Sequence, residues 1–309
     1  VDHASNKEVA RCLDLTSLDQ TLITYAAFLA KANRVKKIYF THIIKNLSLP
    51  AEVLEKFPDL MDRMLQEKKE EMIEEVGKYF PKGTSVEISY VVKEGNLSKK
   101  VLKLAASKSI DLILIGKKEL LPGTGVACQR MARRASCSLF IIPEQAKVKL
   151  TKLIVPSDFS DFSKNALEEA IQIAKNNGDR SEIIFQNVFT IPSGYHFTGK
   201  SYEEFSEVLQ QHAEATFKKF IRKIDTKGVP ITPIYTKDND DNPVHEIVEA
   251  AVLHQADGII IGAKGKTAST ALLIGSMAER LIQFNTRLPL LLVRPKGKNA
   301  GILDYLVEI

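Results

Sequence analysis

The sequence predicts an α/β protein of two tandem doubly wound domains. Three observations carry this. Four blocks recur in the same order in both halves. Each half alternates short apolar runs with segments of helical period. The apolar runs are apolar on both faces, which marks strands of a parallel sheet covered by helices on each side.

The first block is LDLTSLDQTLITYAAFLAK from Leu13, matched by SDFSDFSKNALEEAIQIAK from Ser157, with Asp14 on Asp158. KIYFTHI (Lys37 to Ile43) then matches EIIFQNV (Glu182 to Val188), and DLILIGKK (Asp111 to Lys118) matches DGIIIGAK (Asp257 to Lys264). Last, GTGVACQRMARRASCSLFIIP (Gly123 to Pro143) matches GSMAERLIQFNTRLPLLLVRP (Gly275 to Pro295) without a gap. The offsets run from 144 to 152, far too long for a solenoid. The expected domains are 1–146 and 147–297, joined through the polar stretch Glu144 to Lys149, with a C-terminal extension 298–309.

In the second half, Lys152–Pro156 reads as a buried strand and Asn165–Asn176 as a helix stopped at Asn177-Gly178. Ile183–Val188 is the next strand. A long helix follows, its stripe Phe205, Val208, Leu209, Ala213, Phe217, Phe220, Ile221 and Ile224, ended by Lys227-Gly228. Ile231–Tyr235 is a strand, Pro243–His254 a helix and Gly258–Ile261 a fourth strand. Gly275-Ser276 opens a helix with apolar face Met277, Leu281 and Phe284, and Leu290–Val293 is the fifth strand. Right-handed crossovers make a doubly wound sheet the simplest topology. Its ligands lie past the carboxyl ends of the strands.

Composition narrows the function classes. The chain has 309 residues, 44% hydrophobic and 26% charged, which fits soluble globular domains. A net charge of +5 without a Lys/Arg stripe gives no nucleic-acid footprint, so none is expected as a partner. Cys12, Cys128 and Cys137 lack metal spacing and read as buried hydrophobes in a reducing compartment. No apolar run reaches a membrane span of about 18 residues, so no membrane partner is expected and cytoplasm is the expected location. The chain begins at Val1 rather than Met, which leaves a removed signal open.

The segment after the fourth strand carries the chemistry. Gly262 and Gly265 are followed by Gly275-Ser276 at a helix start. Unpaired N–H groups and the helix dipole favour an anion there, glycine lets backbone approach it, and Lys264 and Lys266 add charge. Ser276 is a donor to the anion or a helix cap. Gly265-Lys266-Thr267 is no P-loop, because the first glycine of that motif would fall on Ile260. Gly123-Thr124-Gly125 lacks the third glycine of a dinucleotide fingerprint.

Gly262-x2-Gly265-x9-Gly275-Ser276, with VPSDFS closing the first strand, resembles the universal stress protein family. The likeness covers nearly the whole chain as a tandem pair. It implies Rossmann-like domains with five parallel strands in order 3-2-1-4-5, and ATP binding where the glycine pattern is kept. It also implies the roles. Gly262, Ala263, Lys264, Gly265 and Lys266 would wrap the phosphates. Gly275, Ser276 and Met277 would hold the α and β phosphates and ribose. Pro156 and Asp158 would meet adenine and ribose, and the Val188 backbone the adenine edge. Mg²⁺ is a companion of the phosphates, although no carboxylate pair is set aside for it. Asp158 alone also reads as a cap of the first helix.

The first copy departs from this pattern. Six residues separate Gly116 from Gly123, against twelve between Gly262 and Gly275. Glu119-Leu120-Leu121-Pro122 replaces the Gly265 region, and Cys12 replaces Pro156. The first domain is expected to bind ATP weakly or not at all. The resemblance implies pairing of the two units through Ser138–Ile142 and Leu290–Val293. Homodimer formation is a further expectation, and the C-terminal extension is expected either to pack on the first domain or to mediate oligomers. Met61, Met64 and Met72 read as core. No histidine forms a metal or nucleophile motif, His212 reads as packed or half-exposed on a helix stripe, and His196 as surface loop. No general base for hydrolysis stands out. The reading is an ATP-binding stress-response protein. A nucleotide-free interaction module and a slow ATPase are the alternatives.

Overall fold

The computed structural model describes residues 7–31, 35–45, 49–118, 124–177, 181–238, 240–265, 274–285 and 287–295. The first unit ends at Val148 and the second runs from Lys149 to Pro295. The C-terminal extension lies outside the described residues.

The first unit comprises β1 (Lys7–Leu13), α1 (Leu18–Lys31), β2 (Val35–Ile44), α2 (Ala51–Lys56), α3 (Leu60–Tyr79), β3 (Glu87–Glu94), α4 (Leu97–Ser107), β4 (Leu112–Lys117), α5 (Thr124–Arg134) and β5 (Ser138–Pro143). The second comprises β6 (Lys152–Pro156), α6 (Asp161–Asn176), β7 (Glu182–Thr190), α7 (Tyr202–Ile221), β8 (Ile231–Asp238), α8 (Pro243–Leu253), β9 (Gly258–Gly262), α9 (Ser276–Phe284) and β10 (Leu290–Val293). The strand orders are β3-β2-β1-β4-β5 and β8-β7-β6-β9-β10, all pairs within each unit parallel. Each is the predicted 3-2-1-4-5 order, with the switch point between the first and fourth strands.

Burial explains why these strands are nearly continuous apolar runs. Every residue of β9 and β10 is buried, as are four of the five in β6. Three helices show how their starts are set. Ser201 and Glu204 form a reciprocal capping box at α7, Asn96 caps α4, and Pro243 opens α8. In the first unit Phe40 packs against Phe80 and Tyr90 under α3. In the second, Phe185 packs against Phe159, Phe217 and Phe220.

The repeated aspartate of the third block ties strands at the amino edge. Asp111 accepts the Glu8 N–H at 2.8 Å. Asp257 Oδ2 accepts from Thr151 N–H at 3.1 Å, Lys152 N–H at 2.9 Å and the Thr151 hydroxyl at 2.8 Å, with Lys149 Nζ 3.1 Å from Oδ1. Burial alone would raise the Asp257 carboxyl, but these donors outweigh it and hold it below the usual range. Its stabilisation is therefore present above the unfolded value near pH 4 and lost as pH falls through the lower folded value. Asp257→Asn should destabilise the second unit by about 1–2 kcal/mol at neutral pH in urea unfolding, with the deficit shrinking below about pH 4. A deficit that stays constant across that range would contradict the assignment.

The structure corrects several expected details. α6 begins at Asp161 rather than Asn165, because Ser160 caps it by accepting the Ser163 N–H. α7 ends at Ile221, so the buried Ile224 belongs to the turn beyond it. Of the two alternatives for His212, the packed one is excluded, because the residue is exposed. Met72 is core, whereas Met61 and Met64 are half-buried. The gapless match of the fourth block slips by one residue in space. Gly116 lies opposite Ile142, but Gly262 lies opposite Val293.

Candidate functional site

The loop leaving β6 is tightly built. Ser157 N–H donates to Gln186 O at 2.8 Å, and Asn187 Nδ2 donates to Ser157 O at 2.8 Å. Phe159 then takes a left-handed conformation, φ 59°, and its ring enters the Phe185–Phe220 cluster. That turn aims Asp158 across the carboxyl end of the sheet. Asp158 Oδ1 accepts the Ser163 hydroxyl at 2.6 Å and the Ser160 N–H at 3.0 Å. Asp158 thus braces the residue that caps α6 rather than capping the helix itself. Its Oδ2 lies beside Gly265: a Cβ there would sit 2.7 Å from that oxygen.

The loop leaving β9 is built from backbone contacts. A Cβ on Gly262 would lie 2.7 Å from the Phe162 carbonyl oxygen in the first turn of α6. Ala263 is buried; its N–H donates to Val293 O at 3.0 Å and its carbonyl accepts the Gly275 N–H at 2.8 Å. The two ends of the long loop are thereby pinched together. A Cβ on Gly275 would lie 3.3 Å from Lys264 Cα. Gly275 is the N-cap of α9 and supplies no side-chain acceptor, so the first amides of that helix receive no cap from their N-cap residue. Ser276 is exposed as the first helical residue and does not cap the helix. The buried face of α9 is Ala278, Leu281 and Ile282; Met277 is half-buried and Phe284 is 60% exposed, so the expected face was rotated.

Strand parity places Val188. Ile183 N–H donates to Pro230 O on the β8 side, whereas Gln186 O accepts from Ser157 on the β6 side. Backbone groups of a strand alternate in direction, so those of Val188 face the β6 side, beyond Pro156 where β6 ends. Pro156, Asp158, Val188, Gly262, Ala263, Lys264, Gly265 and Gly275 thus gather at the carboxyl edge around the switch point, with Ser276 and Met277 in the turn that follows Gly275. Lys266 lies outside the described residues. The Lys264 ammonium lies 6.0 Å from the Phe162 ring centre. Burial lowers its pKa, and the charge of Arg294 lowers it further. Ser163 and Phe162 complete the site without having been foreseen. The only prior sign was the Ser160-x2-Ser163 spacing, which suits a cap.

The first unit fills the same place differently. Leu15 repeats the left-handed turn at φ 59°. Asp19 stands where Ser163 stands and accepts the Leu15 N–H at 2.7 Å. Lys118, the counterpart of Lys264, is ion-paired with Asp14 at 2.6 Å. The carboxylate matching Asp158 is therefore engaged by the protein's own lysine. Residues 119–123, which carry the shortened loop, lie outside the described residues.

His196 and His245 are exposed, the latter 3.4 Å from Glu249. Among the described residues no cluster of three or more His, Cys, Asp or Glu is arranged to hold a metal ion. No helix among them is long and apolar enough to cross a membrane.

The model of the universal stress protein family matches the chain twice, over residues 6–143 and 149–294. The chain belongs to the universal stress protein family. Universal stress protein MJ0531 of Methanocaldococcus jannaschii is 35% identical over 147 residues, covering 48% of this chain and 84% of that protein. Universal stress protein YxiE of Bacillus subtilis is 27% identical over 149 residues, covering 46% of this chain and 98% of its own length. A universal stress protein from Archaeoglobus fulgidus shares the fold over 95% of this chain and all of that one, with a TM-score of 0.60 at 17% identity. The duplication of one family unit is thus the architecture of the chain.

Proposed function

We propose that the second unit of this universal stress protein binds ATP and that the first does not. The observation that carries this reading is the three-glycine cradle. Gly262, Gly265 and Gly275 each stand where a Cβ would press on Phe162, Asp158 or Lys264, beside helix amides that the N-cap residue, a glycine, leaves without a side-chain cap. Such a cradle suits phosphate oxygens. The Asp158 carboxylate suits ribose hydroxyls, and the outward-facing Val188 backbone suits an adenine edge. Ser276 and Met277 lie where a phosphate or ribose would reach the start of α9, and Lys264 and Lys266 supply charge. Mg²⁺ would arrive on the phosphates rather than on a protein ligand set.

The nucleotide serves as a conformational or assembly signal in stress response rather than as a substrate. The carboxylate nearest the cradle, Asp158, is bonded to the Ser160 N–H and the Ser163 hydroxyl, which suits a positioning role more than a general base. The Lys118–Asp14 pair supports a first unit that acts as a nucleotide-free companion.

Denaturing mass spectrometry of purified full-length protein, with calorimetric titration of ATP, tests the reading. One ATP per chain without turnover is expected. Two sites per chain, no binding at all, or steady release of ADP would each refute it.

A further inference from the structure

β3 is an outer strand of the first unit and β8 of the second, each paired along one edge only among the described residues. Backbone groups of a strand alternate in direction, so every second residue offers its N–H and C=O to the open edge. Gly95 N–H donates to Ile44 O, so the odd-numbered residues of β3 face β2, and Ile88, Tyr90 and Val92 face outward. Ile183 N–H donates to Pro230 O, so the even-numbered residues of β8 face β7, and Ile231, Pro233, Tyr235 and Lys237 face outward. An open edge is a template for another strand unless proline or charge blunts it.

The duplicated units treat this edge differently. Phe40 and Phe185 match in the repeat; Tyr90 lies opposite the first and Pro233 opposite the second. At the centre of β8 the outward amide is therefore missing, because proline has none. At the same place in β3 stands Tyr90, its N–H directed outward and its ring stacked on Phe40 with 6.0 Å between ring centres. Ile88, Tyr90, Val91 and Val92 are all half-buried, an apolar stretch with charge only toward its ends. The second unit closes its edge and the first leaves it open.

We propose that β3 pairs antiparallel with β3 of a second copy of this chain, about a twofold axis at Tyr90. Strand parity allows it. Tyr90 then meets the partner's Tyr90 and Ile88 meets the partner's Val92, each pair exchanging N–H···O bonds through the outward groups. Charge selects the same register. Glu87 falls opposite the partner's Lys93, and Lys93 opposite the partner's Glu87. Moving the axis by one residue toward either end would set Glu87 opposite Val91 or Gly95 instead. Lys93 is exposed. Glu87 is 61% exposed and pairs with Lys37 through Oε1, which leaves Oε2 for a second cation.

The test is sedimentation equilibrium of the full-length protein, with dichroism and urea unfolding to check the fold of each variant. Wild type should dimerise, with the dimer dominant at about 100 μM. Lys93→Glu sets like charges opposite one another at both ends of the pairing and should weaken the dimer by about tenfold or more. Glu87→Lys should do the same. The two variants mixed in equal amounts should recover a heterodimer, since each then meets its opposite charge. A folded Tyr90→Pro variant, which copies the edge of the second unit, should be monomeric. A monomeric wild type, a dimer indifferent to Lys93→Glu or to Tyr90→Pro, or a mixture that stays monomeric would each overturn the proposal.

Discussion

Gly265→Glu should reduce ATP affinity by at least about a hundredfold, roughly 3 kcal/mol, while the second unit stays folded. Gly265 is half-exposed in a loop, so the substitution opens no cavity and buries no new group. Its Cβ would nevertheless fall 2.7 Å from Asp158 Oδ2, so the carboxylate or the loop must move. The added charge then faces both Asp158 and the incoming phosphates, and like charges brought together cost several kcal/mol. The substitution also reproduces the first copy, where Glu119 stands three residues after Gly116 as Gly265 does after Gly262. Calorimetric titration gives the affinity, and far-ultraviolet dichroism with urea unfolding checks the fold. Undiminished ATP binding in the folded variant would remove Gly265 from the site. Gly262 is a different case. Its Cβ would meet backbone of α6, so a change there tests packing rather than binding.

What was legible in the sequence follows from how local each cause is. The fifth strand Leu290–Val293 was read to the residue because Pro289 and Arg294 bound an apolar run that is buried throughout. That Gly262 ends the fourth strand and Gly275 precedes a helix was legible from the apolar run and the helical period on either side of them. The start of α6 was not, because SDFSDFS offers three hydroxyls as caps. The choice of Ser160 depends on the left-handed turn at Phe159, which sequence does not reveal. The face of α9 was misjudged because nine residues give too few turns to set a phase. Ala278 and Ile282 proved to be core and Phe284 exposed. The one-residue slip of the repeat match was hidden because it shows only in the β9–β10 register.

Asp19→Ser should destabilise the first unit by about 1–3 kcal/mol, more than Arg11→Met, and the double variant should recover most of the loss. Arg11 is fully buried on β1, with a 3.4 Å bond from Nη2 to Asp19 O and the Phe40 ring 5.7 Å away. Its Nε and Nη1 have no hydrogen-bond partner. Burial pushes its pKa well below the usual value, opposed first by Asp19. Asp19 is buried too; burial and the charge of Asp14 push its carboxyl up to about 6, against the Leu15 and Asp14 amides and Arg11. The asymmetry follows. Without Arg11, Asp19 can take up a proton at a cost of roughly 1–2 kcal/mol near neutrality. Without Asp19, a guanidinium that hardly ever deprotonates is left with its counter-charge gone. The second unit shows that the fold does without the pair: Val155 and Ser163 hold these two places. The pH sign is equally definite. A carboxyl whose folded pKa is raised adds stability below its unfolded value, and that contribution is lost as pH rises through about 6. Urea unfolding of wild type between about pH 4 and 7 should therefore show a downward slope in first-unit stability that Asp19→Ser abolishes. Equal penalties from the two single substitutions, or no recovery in the double, would show that the two charges are not coupled.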